Sequence, residues 1–326
     1  MFDKQQNNPA KNSLLVIVFS FNRALQLEYT LRTLQTNLLC AEMEVVVVYD
    51  TKGEQHLLAY ERLKLDYFTV VFYKISAAGT FFHDIFPLLF NVRNLYRYLK
   101  YPYLRKNRNN FKGLTEQIIM DSPCGYVMFM TDDMVTFKPQ PITHEIFDFI
   151  AKNPMQTSFR CYVGRNHHNV PSGVTRDGDF LMWNYYDQRM SNSWAYPFSV
   201  DGTIYEKNAL MSVIKPALYH IPTTLEANIV SNVRACKLFS TGYSPLESTM
   251  VGVVLNKVQS INDNVAGMYD VEILNKNFLD GYRMEAIFEH PIDINTLIPE
   301  KILLRRENES VIVGTTEHTQ MNGGKV

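Results

Sequence analysis

The chain has 326 residues, 46% of them hydrophobic, enough to bury a substantial core as one large domain or two coupled halves. Lysine and arginine number 32 against 33 aspartates and glutamates, so no global field points to a polyanionic partner. That balance argues against nucleic acid as the main ligand.

Residues 1–12 read as a polar lead-in. Residues 13–19 form a continuous apolar run, the mark of a strand buried on both faces. The run ends at Ser20-Phe21-Asn22-Arg23, where Asn22 is a candidate N-cap for a helix carrying Leu27, Leu31, Leu34 and Leu38 on one stripe. Residues 44–50 repeat the buried-strand pattern and end in Asp50, and a third strand over 68–75 ends near Ser76. Residues 86–103 read as helix and then give way to loop. Arg93, Arg97, Lys100, Arg105, Lys106, Arg108 and Lys112 follow one another there with no acid among them. That stretch has two readings: a solvated loop, or a contact with an anionic membrane surface or lipid-diphosphate through 93–112.

A further strand over 125–130 runs directly into Thr131-Asp132-Asp133. Past Pro139 and Pro141 the pattern changes. A helix is expected over 144–152, a strand over 156–163, an apolar run over 196–205, and helices over 207–214 and 225–236. After Glu300 the chain is charged and then glycine-rich, which reads as a mobile tail. The expected organisation is therefore a lead-in (1–12), a first half (13–138), a second half (139–298) and a tail (299–326).

Strands alternating with helices predict a mostly parallel α/β sheet with right-handed crossovers. Ligands collect beyond the carboxyl ends of such strands, which makes Ser20 to Arg23, Asp50 and Ser76 neighbours in space. The apolar run at 14–19 is far too short to span a bilayer and has no cleavage site beside it. Four scattered cysteines form no metal-knuckle spacing, and reduced thiols in a cytoplasmic protein, at most at the inner face of the membrane, are the expectation.

No phosphate-binding P-loop and no dinucleotide-type glycine loop follows the first strand. Something else must hold phosphates, and Asp132 with Asp133 is the best candidate. Two adjacent carboxylates at the end of an apolar strand repel unless water, a base or a cation pairs with them. A hard divalent cation would offset that repulsion and bridge to diphosphate oxygens. The plainer alternative is a solvated turn whose aspartates bind backbone amides.

Ser20-Phe21-Asn22-Arg23, Asp50 and Thr131-Asp132-Asp133 at successive strand ends resemble the GT-A glycosyltransferases, especially family-2-like bacterial enzymes. The similarity covers residues 13 to about 138. It implies a GT-A-like, Rossmann-related fold whose first half binds a nucleotide-sugar, UDP- or GDP-linked, and whose second half shapes the site of a saccharide or lipid-linked acceptor. It further implies that Phe21 or Arg23 flanks the nucleobase and that Asp50 contacts base or ribose. Asp133 would ligate Mn²⁺ or Mg²⁺, with Asp132 standing in for the first acid of the family's triplet, which is Thr131 here. Asn91-Val92-Arg93-Asn94 is similar to the family's Ala-Arg-Asn segment, giving Arg93 a role at the diphosphate or, alternatively, none beyond a solvated helix.

The resemblance implies an acid opening a helix in the second half as general base. Thr224-Leu225-Glu226-Ala227 offers only Glu226, and Asp201 in the Ser199-Val200-Asp201-Gly202 turn is its rival. His290 is a candidate third metal ligand or a hydrogen-bonded histidine. Trp183, Trp194 and Tyr185-Tyr186 are either sugar-stacking platforms or core. The expected activity is glycosyl transfer to a hydroxyl in surface polysaccharide or glycolipid assembly. The rivals are a sugar-phosphate nucleotidyltransferase and a non-catalytic nucleotide-sugar binder.

Overall fold

The computed structural model describes residues 10–77, 81–106, 109–257, 266–285 and 295–314. Nine strands join one sheet: β1 (Ala10–Phe21), β2 (Met43–Asp50), β3 (Val71–Lys74), β4 (Cys124–Thr131), β5 (Thr157–Arg160), β6 (Thr175–Asp177), β7 (Phe180–Asn184), β8 (Thr203–Glu206) and β9 (Thr241–Pro245). Their order is β3-β2-β1-β4-β8-β5-β9-β7-β6. β1, β2, β3 and β4 are mutually parallel. β8 is wedged antiparallel between β4 and β5, while β9 runs parallel to β5. The α/β, GT-A-like arrangement read from the sequence is thus present, and the sheet runs without a break across residue 138.

The apolar runs become central strands because period-two alternation sends their side chains to two cores. Leu14, Val16 and Val18 face one core and Leu15, Ile17 and Phe19 the other, all of them buried. Helices α1 (Ala24–Asn37) and α2 (Glu54–Asp66) cover the first face, joined later in the chain by His144–Lys152 and Val271–Leu279. The second face is covered by Phe111–Asp121, Lys207–Ile214 and Pro222–Cys236. A small second sheet pairs Met250–Val253 antiparallel with Met134–Thr136 and parallel with Thr296–Leu297. The Val253 amide donates to the carbonyl of Asp133 at 2.7 Å, which carries the following segment, 254–257, alongside the end of β4.

Several expectations need correction. Asn22 does not cap α1: that position falls to Arg23, and Asn22 takes a left-handed φ of 55° that asparagine tolerates better than most residues. Its Oδ1 instead accepts from the Lys52 amide at 2.8 Å, tying the loop after β1 to the loop after β2. The helix expected over 86–103 is broken into a 3₁₀ turn (Phe86–Phe90) and a helix, α3 (Val92–Lys100), capped by the Asn91 side chain. Most of the apolar run 196–205 is loop, and only Thr203–Glu206 is strand.

The expected mobile tail is in part a hairpin, Lys301–Arg306 paired with Glu309–Gly314. Ile302 and Leu304 alternate into the first core there, and that burial overrides the charge of the flanking residues. Residues 1–9 and 315–326, and His290 with them, lie outside the described residues.

Candidate active site

The carboxyl ends of β1, β2 and β4 open into a cavity of about 1060 Å³. Pockets for small ligands run to roughly 300–1,000 Å³, so this one lies at the large end of that range. Sheet register brings the expected residues together: Phe21 lies opposite Asp50, and Phe19 opposite Thr131. Phe21 and Asp50 both line the cavity. Asp50 also accepts from the Thr51 amide at 2.8 Å, which fixes the turn after β2.

Arg23 sits at the centre of a buried knot. Its Nη1 donates to Asp132 Oδ1 at 3.0 Å and to Asp133 Oδ2 at 2.9 Å. Its Nε donates to Asn256 Oδ1 at 2.9 Å, and Nη2 reaches the Asn256 carbonyl. Asp132 is buried, and its other oxygen accepts from Ser20 Oγ at 2.7 Å and from the Phe21 amide at 3.2 Å. Tyr60 of α2, stacked on Tyr49, closes the knot through contacts with the Ser20 hydroxyl and the Arg23 amide.

Burial opposes the charge on Arg23, but the two carboxylates more than offset it and raise its pKa. Burial likewise pushes Asp132 up, against the pull of Arg23 and the Ser20 hydrogen bond. Ser20, Arg23 and Asp132, expected to face the nucleotide, therefore have their polar atoms committed to one another.

Asp133 differs from its neighbour. One oxygen belongs to Arg23, and the other has no hydrogen-bond partner among the described residues, while the side chain is partly exposed to the cavity. Close by, Asn256 Nδ2 is buried with no partner among the described residues. The described residues hold no group of three or more His, Cys, Asp or Glu able to enclose a metal. The donor set fits a cation bound by one carboxylate, with a ligand's diphosphate oxygens completing its shell, which is how magnesium is commonly held. Among the described residues it does not fit a cation enclosed by protein alone.

Across the cavity, the antiparallel β8 determines the second acidic site. Its register places residue 203 opposite 129, so the chain enters the strand beside the end of β4. Gly202 makes the entry turn with φ 53°, and a Cβ there would lie 2.6 Å from the Met250 sulfur. Asp201, immediately before it, accepts from Thr131 Oγ1 at 2.9 Å. Glu226, in the helix Pro222–Cys236, accepts from the Val200 amide at 3.1 Å, so both sequence-derived base candidates grip one loop.

Burial, then Glu226, then Asp133 push the Asp201 carboxyl up to about 7. Burial also raises Glu226, while the Val200 amide, Ser199 and Arg160 pull it down. Arg160 itself is wholly buried between the rings of Tyr162 and Tyr185, each 5.0 Å from the guanidinium carbon. It donates to the carbonyls of Ser193 at 2.6 Å and Tyr196 at 2.7 Å, holding the cavity wall in place.

Arg93 is elsewhere. It is exposed on α3, does not line the cavity, and donates to the carbonyl and hydroxyl of Ser231. Trp183 and Trp194 are buried against each other with ring centroids 4.8 Å apart, which settles them as core. Tyr186 donates to the carbonyls of Val233 and Leu238 at the end of a helix. Tyr60, Arg160 and Asn256 escaped the sequence reading. A lone Arg in Ser158-Phe159-Arg160-Cys161, within an expected buried strand, was the one available signal.

The chain matches no protein-family model. It is 23% identical over 290 residues to a curated Dictyostelium discoideum protein, the bifunctional glycosyltransferase pgtA, an alignment covering 78% of this chain. The chain spans about a third of that relative, 33% of its length. Among solved structures, S. aureus TarS residues 1–349 in complex with UDP-GlcNAc superposes with a TM-score of 0.43 at 13% identity, over 80% of this chain and 64% of the other. Another TarS structure gives 0.42 at 13% identity, over 74% and 37%. In sequence the chain is similar to a glycosyltransferase, and its own sheet has the GT-A-like architecture that its strand-end motifs imply.

Proposed function

We propose that the chain transfers a glycosyl group from a nucleoside-diphosphate sugar, UDP- or GDP-linked, to a hydroxyl of a saccharide or lipid-linked acceptor, in surface polysaccharide or glycolipid assembly. The observation that carries this reading is the pairing, across one cavity, of the open Asp133 oxygen with an Asp201 carboxyl held near pH 7. Phosphate chemistry and base chemistry need those two environments side by side.

In this reading Phe21 and Asp50, at facing register positions, take the nucleoside. Asp133 and the Asn256 amide nitrogen take the diphosphate end, the carboxylate through Mn²⁺ or Mg²⁺. That ion, when bound, neutralises charge on the departing diphosphate. Arg23 holds Asp133 and Asn256 at a fixed separation.

Asp201 is the better base of the two candidates. It accepts from Thr131 alone among the described residues, whereas Glu226 is held by both the Val200 amide and the Ser199 side chain. Asp201 accepts the acceptor's hydroxyl proton as the new C–O bond forms and the anomeric carbon–phosphate oxygen bond breaks. A direct displacement of this kind inverts the anomeric centre, which product NMR would report. Glu226 and Arg160 hold the loop that carries the base.

Titration calorimetry with UDP and GDP, in Mn²⁺ or EDTA, tests the donor half on wild type and Asp133→Ala. One nucleotide is expected to bind with manganese and to lose that dependence in the variant. Failure of both nucleotides to bind under either condition would overturn the UDP- or GDP-sugar reading.

A further inference from the structure

Between Ile75 and Asn109 the chain makes an excursion from the cavity rim, since both of those residues line the cavity. Hydrogen bonds from the Asn110 amide to the Ser76 carbonyl at 3.0 Å and from the Ser76 amide to Asn110 Oδ1 at 2.8 Å pinch its neck. On the excursion sits α3, and its amphipathicity is inverted. Val92, Leu95, Tyr96 and Leu99 occupy an arc of about 100° at 3.6 residues per turn, the width of a core-facing stripe. In this protein that arc faces outward, with Val92 81% exposed. The inward side carries Asn94, whose Nδ2 donates to the Pro216 carbonyl at 3.0 Å.

The preceding 3₁₀ turn extends the apolar surface. Phe86 and Phe90 meet edge to face with centroids 5.3 Å apart, and Phe90 is 78% exposed. Arg93 and Lys100 flank the arc on the same helix, and Arg105 is exposed just beyond it. In sequence, residues 86–115 hold seven Lys and Arg and no acid, against a net charge of −1 for the whole chain. No helix among the described residues is long and apolar enough to cross a membrane, so this surface can lie on a bilayer and not span one.

We propose that residues 86–105 dock the protein onto an anionic lipid surface, with the cavity rim beside the headgroups. The chemistry is that of an interfacial helix: the apolar arc enters the headgroup–acyl boundary while basic side chains at its border meet anionic headgroups. A second copy of the chain is disfavoured as the occupant. A two-fold contact through this face would set Arg93, Lys100 and Arg105 against their own copies, with no acid on the segment to relieve them. The inference stands on surface chemistry and is independent of the glycosyl-transfer reading.

Co-sedimentation of the full chain with vesicles of phosphatidylcholine, with and without phosphatidylglycerol, tests it at low and high salt. Binding is expected to require phosphatidylglycerol and to weaken with salt. Phe90→Gln/Leu99→Gln and Lys100→Gln/Arg105→Gln should each weaken it on the order of tenfold. Because these side chains are exposed, the melting temperature should stay at the wild-type value, which separates lost docking from lost fold. No binding to anionic vesicles at low salt, or undiminished, wild-type binding by both double variants, would overturn the proposal. So would a wild-type dimer in solution that Phe90→Gln/Leu99→Gln converts to monomer, since the face would then belong to a second copy.

Discussion

The cavity holds two acid pairs, and they are treated oppositely. Asp132 and Asp133 share the guanidinium of Arg23, while Asp201 and Glu226 have no ion-pair partner among the described residues. The first pair is braced by a fixed cation that sits between the carboxylates, and on Asp132 its pull opposes burial. The second pair is left to burial and mutual repulsion, which lift Asp201 to about 7. Four carboxylates within one cavity thus divide into a pair that shares a guanidinium and a pair that has none within reach among the described residues, and the deciding element is the position of a single arginine.

The sharpest way to break this contrast is to remove the titrating acid. Asp201→Asn should cut turnover by about 10²–10⁴-fold, the usual range for a positioned acid or base, with nucleotide affinity nearly unchanged. Glu226→Gln should cost less, because it acts through the loop at Val200. The reverse ranking in steady-state kinetics would hand the role of base to Glu226. Next in size is the rigid pair. Arg23→Met leaves Asp132 buried without its cation, and loss of one partner of a buried ion pair costs about 3–5 kcal/mol, readable by urea denaturation. Arg23→Met combined with Asp132→Asn should recover part of that loss, and its failure to do so would show that Arg23 matters mainly through Asn256.

A smaller effect sharpens the comparison through pH. The folded chain holds the Asp201 proton more tightly than the unfolded chain does. The stability this gives is present at low pH and is lost as pH rises from about 4, the ordinary carboxylate value, to about 7. In EDTA at pH 8, Asp201→Asn should therefore melt about 2–4 °C above wild type, with the difference shrinking toward pH 4. Turnover in the wild type should climb through pH 7 as the base loses its proton. The smallest effect belongs to Arg93→Gln. This side chain stands away from the cavity, so nucleotide affinity measured by calorimetry should stay within about twofold, and stability should change by less than about 0.5 kcal/mol.

The half of the molecule around β1, β2 and β4 was legible because its strands are apolar on both faces and end abruptly in polar residues. Parallel topology then places Phe21, Asp50 and Asp133 at one edge without knowledge of any contact. What stayed illegible depends on partners far along the chain. The family resemblance implies Phe21 or Arg23 beside the nucleobase, and nothing near Arg23 in sequence announces its hydrogen bonds to Asn256. Asp201 and Glu226 were both visible as acids, but only the antiparallel entry of β8 beside β4 shows that they share a loop. Trp183 and Trp194 show the converse: the sequence leaves sugar stacking and core packing both open, and contact across the fold places each against the other in the core. The hairpin at 301–314 was hidden by its charges, although Ile302 and Leu304 already alternate as a strand should.

The link from Arg23 to Asn256 joins residues 233 positions apart. On a ribosome adding about 5–20 residues per second, the β1–β4 half emerges on the order of ten seconds before Asn256 does. During that interval Arg23 can meet Asp132 and Asp133, but two of its donor groups lack their final acceptor. The nascent chain therefore exposes a half-assembled charge cluster until its last third arrives. A stalled product ending before residue 256 should be recognisable to proteases by unfolding at this corner first.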